Sequence, residues 1–168
     1  MATDKQILGR WGETLVAKKF ACPRCKRFYS LRRLPPNFKC ADIICDFCGY
    51  LAQVKSVTVS DVWKVPASVL GAAWRPQRER MKAGIYFPLF IVLRNGRESA
   101  VYYLPTDFQK PSIFKKRAPL SAQARRAGWQ GFTYDLSSLA KEAIVRILEP
   151  AANKTLQRTR SKQRASKR

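Results

Sequence analysis

Apolar residues recur at helical spacing near the start of the chain. Ile7, Leu8, Trp11, Leu15 and Val16 fall on one face of a helix over 5–20, with Lys18 and Lys19 in its last turn. Cys22-Pro23-Arg24-Cys25 stops it. The pattern then shortens to strand-like runs. Residues 27–34 read as a strand closed by Pro35-Pro36-Asn37, and 38–44 and 51–59 as two more, joined by a tight knuckle from Cys45 to Gly49. Residues 65–82 read as a helix that Pro76 kinks or ends. The longest apolar run, Ile85 to Leu93, is too short to span a membrane and suits a buried strand. Strands over 86–94 and 99–104 form a hairpin across Asn95-Gly96. Residues 105–131 are rich in loops, and short strands follow at 133–136 and 143–148. From 150 onward the chain is polar, basic and without period, which predicts a disordered tail. The expected organisation is one domain over 1–149 and a basic tail over 150–168.

Composition supports a packed body, with 46% apolar and 11% aromatic residues. Charge changes the picture more. Thirty-three Lys and Arg face eleven Asp and Glu, a net charge of +22. Seven of the basic residues follow Glu149 and no acid does, so the body alone is strongly basic. Such a surface calls for a polyanion, because bound Lys and Arg release the counterions condensed on phosphates. Nucleic acid fits better than membrane, since no basic helix carries a greasy face. The N-terminus lacks the apolar stretch of a secretion signal, so a cytoplasmic protein is expected, associated with the nucleoid if it is bacterial. Histidine is absent, which excludes a His base, a His nucleophile and a His metal ligand. Phosphodiester chemistry here must rest on carboxylates, lysine and metal ions.

Four of the five cysteines form two knuckles, Cys22-x-x-Cys25 and Cys45-x-x-Cys48, nineteen residues apart. Two residues between thiolates let both reach one ion, and two such pairs complete a tetrahedral Zn²⁺ site. Two disulfides are the first alternative. They fit poorly with a fifth, odd cysteine and no secretion signal. A redox centre is the second, and it would not need two copies. A closed site of four thiolates contributes folding energy and leaves no position for catalysis. Cys40, on a predicted strand, reads as a buried apolar residue.

Asp42 stands three residues before the second knuckle, and Gln53 and Lys55 follow it. Residues two apart on a strand share a face, so a hairpin around the knuckle brings that face to Asp42. A carboxylate and an amide oxygen can hold Mg²⁺, and the metal lowers the pKa of a bound water. Lysine can orient that water or stabilise charge in the transition state. Glu13, within Gly9-Arg10-Trp11-Gly12-Glu13, is a fourth candidate, because small glycines allow its helix to approach the sheet. Each residue also has a plain structural role open to it: a turn cap for Asp42, a solvated face for Gln53 and Lys55, an ion pair for Glu13.

Residues 5–150 resemble the catalytic domain of the DpnI-type restriction endonucleases and their Dam-replacing relatives, in the PD-(D/E)xK nuclease superfamily. The resemblance rests on the helix with Glu13 leading into CPRC, on ADIICDFCGYLAQVK, and on APLSAQARRAGWQGFTYDL. It implies an α/β restriction-endonuclease-like core with a central mixed sheet and the inserted zinc site. It also implies Mg²⁺-dependent cleavage of double-stranded DNA, with Asp42 and Lys55 in the roles above and, in the wider group, methyl-directed cutting at GATC-like sites. Gln53 stands where the motif usually has Glu, so charge alone predicts that Gln53→Glu tightens Mg²⁺ binding. Relatives continue into a winged-helix DNA-reading domain that these residues do not include.

Lys115, Lys116, Arg125, Arg126 and Trp129 cluster late in the body, and basic residues beside an aromatic suit DNA contact. Trp129 and Arg125 could equally close the core. The remaining alternative to a nuclease is a non-catalytic zinc-ribbon protein that binds nucleic acid.

Overall fold

The computed structural model of the chain describes residues 2–148 except Asn37, Lys39 and 119–129. The expected tail, the boundary at 149 and the candidates Arg125, Arg126 and Trp129 lie outside the described residues. Helix α1, Asp4–Lys19, opens with Thr3, whose side chain accepts from the Gln6 N–H while the Gln6 side chain takes the Thr3 N–H. That reciprocal pair satisfies two donors that a helix start otherwise leaves open. Asp4 at one end and Lys18 and Lys19 at the other complement the helix dipole.

The strands are β1 (Leu31–Arg33), β2 (Ile43–Cys45), β3 (Leu51–Thr58), β4 (Ser68–Gly71), β5 (Leu89–Asn95), β6 (Glu98–Leu104), β7 (Phe114–Lys116), β8 (Phe132–Asp135) and β9 (Val145–Leu148), with helix α2 (Trp74–Lys82) between β4 and β5. The expected central mixed sheet is present, in the order β1-β2-β3-β5-β6-β9. Among the described strands of this sheet, only β3 and β5 run parallel. A second, antiparallel sheet has the order β4-β8-β7.

Strand β5 is apolar at every position from Leu89 to Leu93 because both of its faces are covered. Phe90 and Val92 pack with Val16, Cys22, Val54 and Val101 beneath α1. Leu89, Ile91 and Leu93 pack with Val69, Phe114, Phe132 and Tyr134 of the small sheet. Gln53 pairs with Leu89 and Lys55 with Ile91, so both point toward the small sheet, as the two-residue period requires. On the opposite face α1 lies close to β3. A Cβ on Gly12 would land on Ser56 Oγ and lie 3.2 Å from Ser56 Cβ and 3.5 Å from Val92 Cβ. Gly9, by contrast, has nothing within 4 Å of such an atom. Gly12 alone accounts for the close approach.

The structure corrects several sequence readings. The helix expected over 65–82 begins only at Trp74, and Ser68–Gly71 is a strand with alternating burial. Pro76 falls in the first turn of α2, where a missing N–H has no helical partner to lose, so it kinks nothing. The strand expected over 38–44 shrinks to Ile43–Cys45 because Cys40 has a φ of +65°, outside the extended region. Cys40 is therefore a half-buried turn residue and not core. Tyr29, at φ +56°, likewise confines the strand expected over 27–34 to Leu31–Arg33. The hairpin turn lies one residue later than read. Asn95 and Glu98 close the ladder around Gly96-Arg97, and Gly96 has a φ of +54°.

Gly12→Ala should destabilise the protein by about 1–3 kcal/mol through overpacking against Ser56. Gly9→Ala should instead be neutral or gain up to about 1 kcal/mol from helix propensity. Urea denaturation of both variants checks this, and equal midpoints would mean that α1 is not seated on β3 as described.

Candidate active site and four-cysteine centre

The two knuckles close in the same way. The Lys26 N–H donates to the Cys22 carbonyl at 2.9 Å and the Gly49 N–H to the Cys45 carbonyl at 3.0 Å. Lys26 and Gly49, each directly after the second cysteine of its knuckle, have φ of +62° and +70°. This left-handed residue turns the chain so that both thiols face one point. Cys22 Sγ lies 3.6 Å from Cys48 Sγ and Cys25 Sγ 3.7 Å from Cys45 Sγ, with all four within 4.8 Å of one another. A tetrahedron with metal–sulfur bonds of ~2.3 Å has sulfur–sulfur edges of about 3.8 Å. The four thiols could thus hold one metal ion. All five cysteines are free, and these spacings are far above the ~2.05 Å of a disulfide. Burial pushes the Cys22 thiol up to about 12, so an entering cation must displace its proton. The first knuckle lies between α1 and β1 and the second between β2 and β3. The centre therefore ties the end of the helix to the hairpin that carries the next group of residues.

Asp42 immediately precedes β2. Its N–H donates to the Ala52 carbonyl at 2.9 Å. Its Oδ2 accepts the Val54 N–H at 2.8 Å and lies 3.3 Å from Lys55 Nζ. Gln53 is buried between two partners. Its Nε2 donates to the Cys40 carbonyl at 2.8 Å, and its Oε1 accepts the Tyr134 hydroxyl. Burial first, and the charge of Asp42 second, raise the pKa of the Tyr134 phenol, which keeps it a protonated donor. An Arg80 guanidinium N–H reaches Cys40 Sγ at 3.3 Å. Tyr134, Gln53 and Arg80 together brace the left-handed turn at Cys40 that presents Asp42.

Asp42, Gln53 and Lys55 line a cleft of about 410 Å³ together with Ala73, Pro76 and Gln77 from the start of α2 and Phe132 from β8. Asp42 also lines a second cleft of about 660 Å³ with Arg10, Glu13 and Arg33. There Glu13 Oε2 accepts from Arg33 Nε at 3.1 Å. The structure brings Asp42, Gln53 and Lys55 together and puts Glu13 in the adjoining cleft, paired with a cation. Lys115 and Lys116 are exposed on β7, at the edge of the small sheet whose neighbouring strand supplies Phe132 and Tyr134. Reading the sequence passed over Tyr134, Arg80 and Arg33. Only Tyr134 carried a usable signal, since Phe132 and Tyr134 stand two apart in a short strand and so share a face.

A central mixed sheet backed by a helix, with a four-cysteine cluster that could hold a metal, fits the nuclease fold of the family that the chain matches. The chain belongs to the Dam-replacing family, DpnI, which matches residues 2–166. With that family comes a restriction-type nuclease, a DNA endonuclease in general. No helix among the described residues is long and apolar enough to cross a membrane.

Gln53→Glu should cost about 1–3 kcal/mol, because the oxygen replacing Nε2 would face the Cys40 carbonyl with no hydrogen between them. The gain in metal affinity expected from charge alone is set against this loss. Chemical denaturation measures it, and an unchanged midpoint would show that the Cys40 turn does not depend on the Gln53 donor.

Proposed function

We propose that this chain is a Mg²⁺-dependent, type II-like endonuclease that hydrolyses double-stranded DNA, with Zn²⁺ in its four-cysteine centre. The observation that carries the reading is the Asp42 carboxylate 3.3 Å from the Lys55 ammonium in an open cleft of a Dam-replacing family member. Asp42 and Glu13 are the carboxylates that would hold the Mg²⁺. Bound there, the ion supplies an acidified water and neutralises charge on the phosphate. Gln53, with both polar ends engaged, positions the Asp42 turn and has only a spare lone pair to offer a metal. Arg33 pairs with Glu13 and is itself a ready partner for phosphate. In the reaction, water oxygen bonds to phosphorus and the bond from phosphorus to the leaving sugar oxygen breaks. One proton leaves the water for solvent and one reaches the leaving oxygen. Lys55 stabilises the added charge on the phosphoryl oxygens.

Lys115 and Lys116, with Arg125, Arg126 and Trp129, are proposed to contact DNA, and the basic residues beyond Glu149 to add phosphate contacts without reading sequence. Methyl-directed cutting at a GATC-like site and action in the cytoplasm belong to the same proposal. One observation favours a second reading, a non-catalytic zinc-ribbon protein that binds nucleic acid: Gln53 is neutral with both polar ends engaged, so among the described residues Asp42 is the one carboxylate paired with Lys55.

Two experiments test the reading. Incubation with methylated and unmethylated plasmid should show cleavage with Mg²⁺ and none with EDTA. Lys55→Ala and Asp42→Ala should each lose about 10²-fold or more in rate. Only Asp42→Ala should also lose Mg²⁺ binding, because lysine is not a ligand. If the protein cuts nothing with Mg²⁺ or Mn²⁺, the binding reading replaces the nuclease. For the centre, Cys45→Ser should lower both zinc content and melting temperature. Full zinc occupancy with an unchanged melting curve would rule the four-thiolate site out.

A further inference from the structure

Among the described residues, Phe28 and Tyr29 are the most exposed large apolar ones, at 66% and 76%. They form the turn between the first knuckle and β1, and that turn is pinned on both sides. The Arg27 carbonyl accepts the Cys22 N–H and the Ser30 hydroxyl, each at 2.9 Å. The Ser30 carbonyl accepts the Asp46 N–H, from the second knuckle, at 2.9 Å. The two knuckles thus hold an aromatic pair out into solvent. Tyr29 also has a φ of +56°, a conformation that costs a tyrosine energy and that Gly or Asn adopts more freely. A side chain this exposed recovers little of that cost by burial, so packing does not account for it.

The two rings line a cleft of about 850 Å³ with Lys18 and Lys19 of α1 and Arg32 and Arg33 of β1, and no acid lines it. Arg32 and Arg33 pair with Asp46 and Glu13, whereas Lys18 and Lys19 have no ion pair among the described residues. Phe47 of the second knuckle is exposed too, but the Arg27 guanidinium covers its ring at 4.2 Å. Phe28 and Tyr29 meet each other at 6.3 Å between centroids, tilted by 51°, and leave aromatic surface open. The cleft shares Thr14 and Arg33 with the one that holds Asp42 and Glu13. Open rings beside unpaired cations suit a single strand of nucleic acid, whose bases stack and whose phosphates pair with lysine. A duplex keeps its bases stacked on one another and shows only their edges. A second copy of this chain, at +22, would bring its own cations against these. We propose that this cleft binds an unpaired DNA strand, with bases on Phe28 and Tyr29 and phosphates on Lys18 and Lys19, beside the cleft assigned to cleavage. The proposal rests on the DNA reading above, but on binding and not on cutting.

The test uses the full chain without Mg²⁺ and reads fluorescence anisotropy on labelled DNA: a thymidine strand of about ten nucleotides, a blunt duplex, and that duplex carrying the strand as an overhang. Tyr29→Asn, which suits the left-handed turn, should melt at or above the wild-type temperature and lose about tenfold in affinity for the strand and the overhang. Phe28→Ala, at a residue with ordinary backbone, should lose as much. Both should bind blunt duplex as wild type does. Tyr29→Phe should keep wild-type affinity, because stacking needs the ring and not the hydroxyl. Lys18→Ala should lower the slope of log affinity against log salt on the strand by about 0.7. Tyr29→Asn and Phe28→Ala binding the strand as wild type does would overturn the proposal. So would an equal loss on blunt duplex, or a wild-type dimer in sedimentation that Tyr29→Asn separates, which would give the rings to a second copy. If wild type binds and cuts duplex but ignores the strand, the proposal alone fails. If it binds none of the three DNAs, the proposal and the nuclease reading fall together.

Discussion

A carboxylate in a half-buried cleft must be paired, and Asp42 is paired with the strand that its own hairpin creates. Its Oδ2 takes the Val54 N–H and the Lys55 ammonium, and its backbone N–H bonds to Ala52. Strand β3 is therefore fixed to the turn before β2 by side chain and main chain at once. Since β3 also provides the parallel pairing with β5, a shift of that turn would be felt in the middle of the sheet. The site is thus built into the registry of the sheet and is not an attachment to it.

Around this tie the two halves of the molecule have different tasks. On one face α1 and the four cysteines clamp the hairpin from outside, with Gly12 permitting the helix to approach. On the other, the small sheet and α2 close the cleft with Phe132, Tyr134 and Gln77. A metal held by all four thiols at the hairpin tip would leave no open position for chemistry. The polar groups around that cleft instead converge from the turn before β2 and from β3, α2 and β8, elements spread along the sequence.

Local pattern revealed the parts whose cause is local. The α1 period, the two CxxC knuckles and the alternation that gives Gln53 and Lys55 one face all appear in the structure as read. What failed depended on backbone that a pattern does not disclose. Cys40 and Tyr29 adopt left-handed conformations without being glycine, and each shortens a strand. The apolar spacing over 65–82 fits helix or strand, and contact with β8 decides for a strand at Ser68–Gly71. Tyr134 was missed because its partner stands 81 residues earlier, and only the folded sheet-on-sheet packing brings them together. Glu13 and Asp42 line one cleft, and the pairing of Glu13 with Arg33 was not foreseen, since Arg33 lies on a different element.

The bonds of Gln53 also limit which sequences this fold can reach by single changes. A carboxylate at that position would satisfy the Tyr134 hydroxyl but oppose the Cys40 carbonyl, so it fits only if the turn at Cys40 is rebuilt as well. The neutral residue is thus locked in by its neighbours. A single change to an acidic residue there passes through a less stable protein unless the Cys40 turn changes with it.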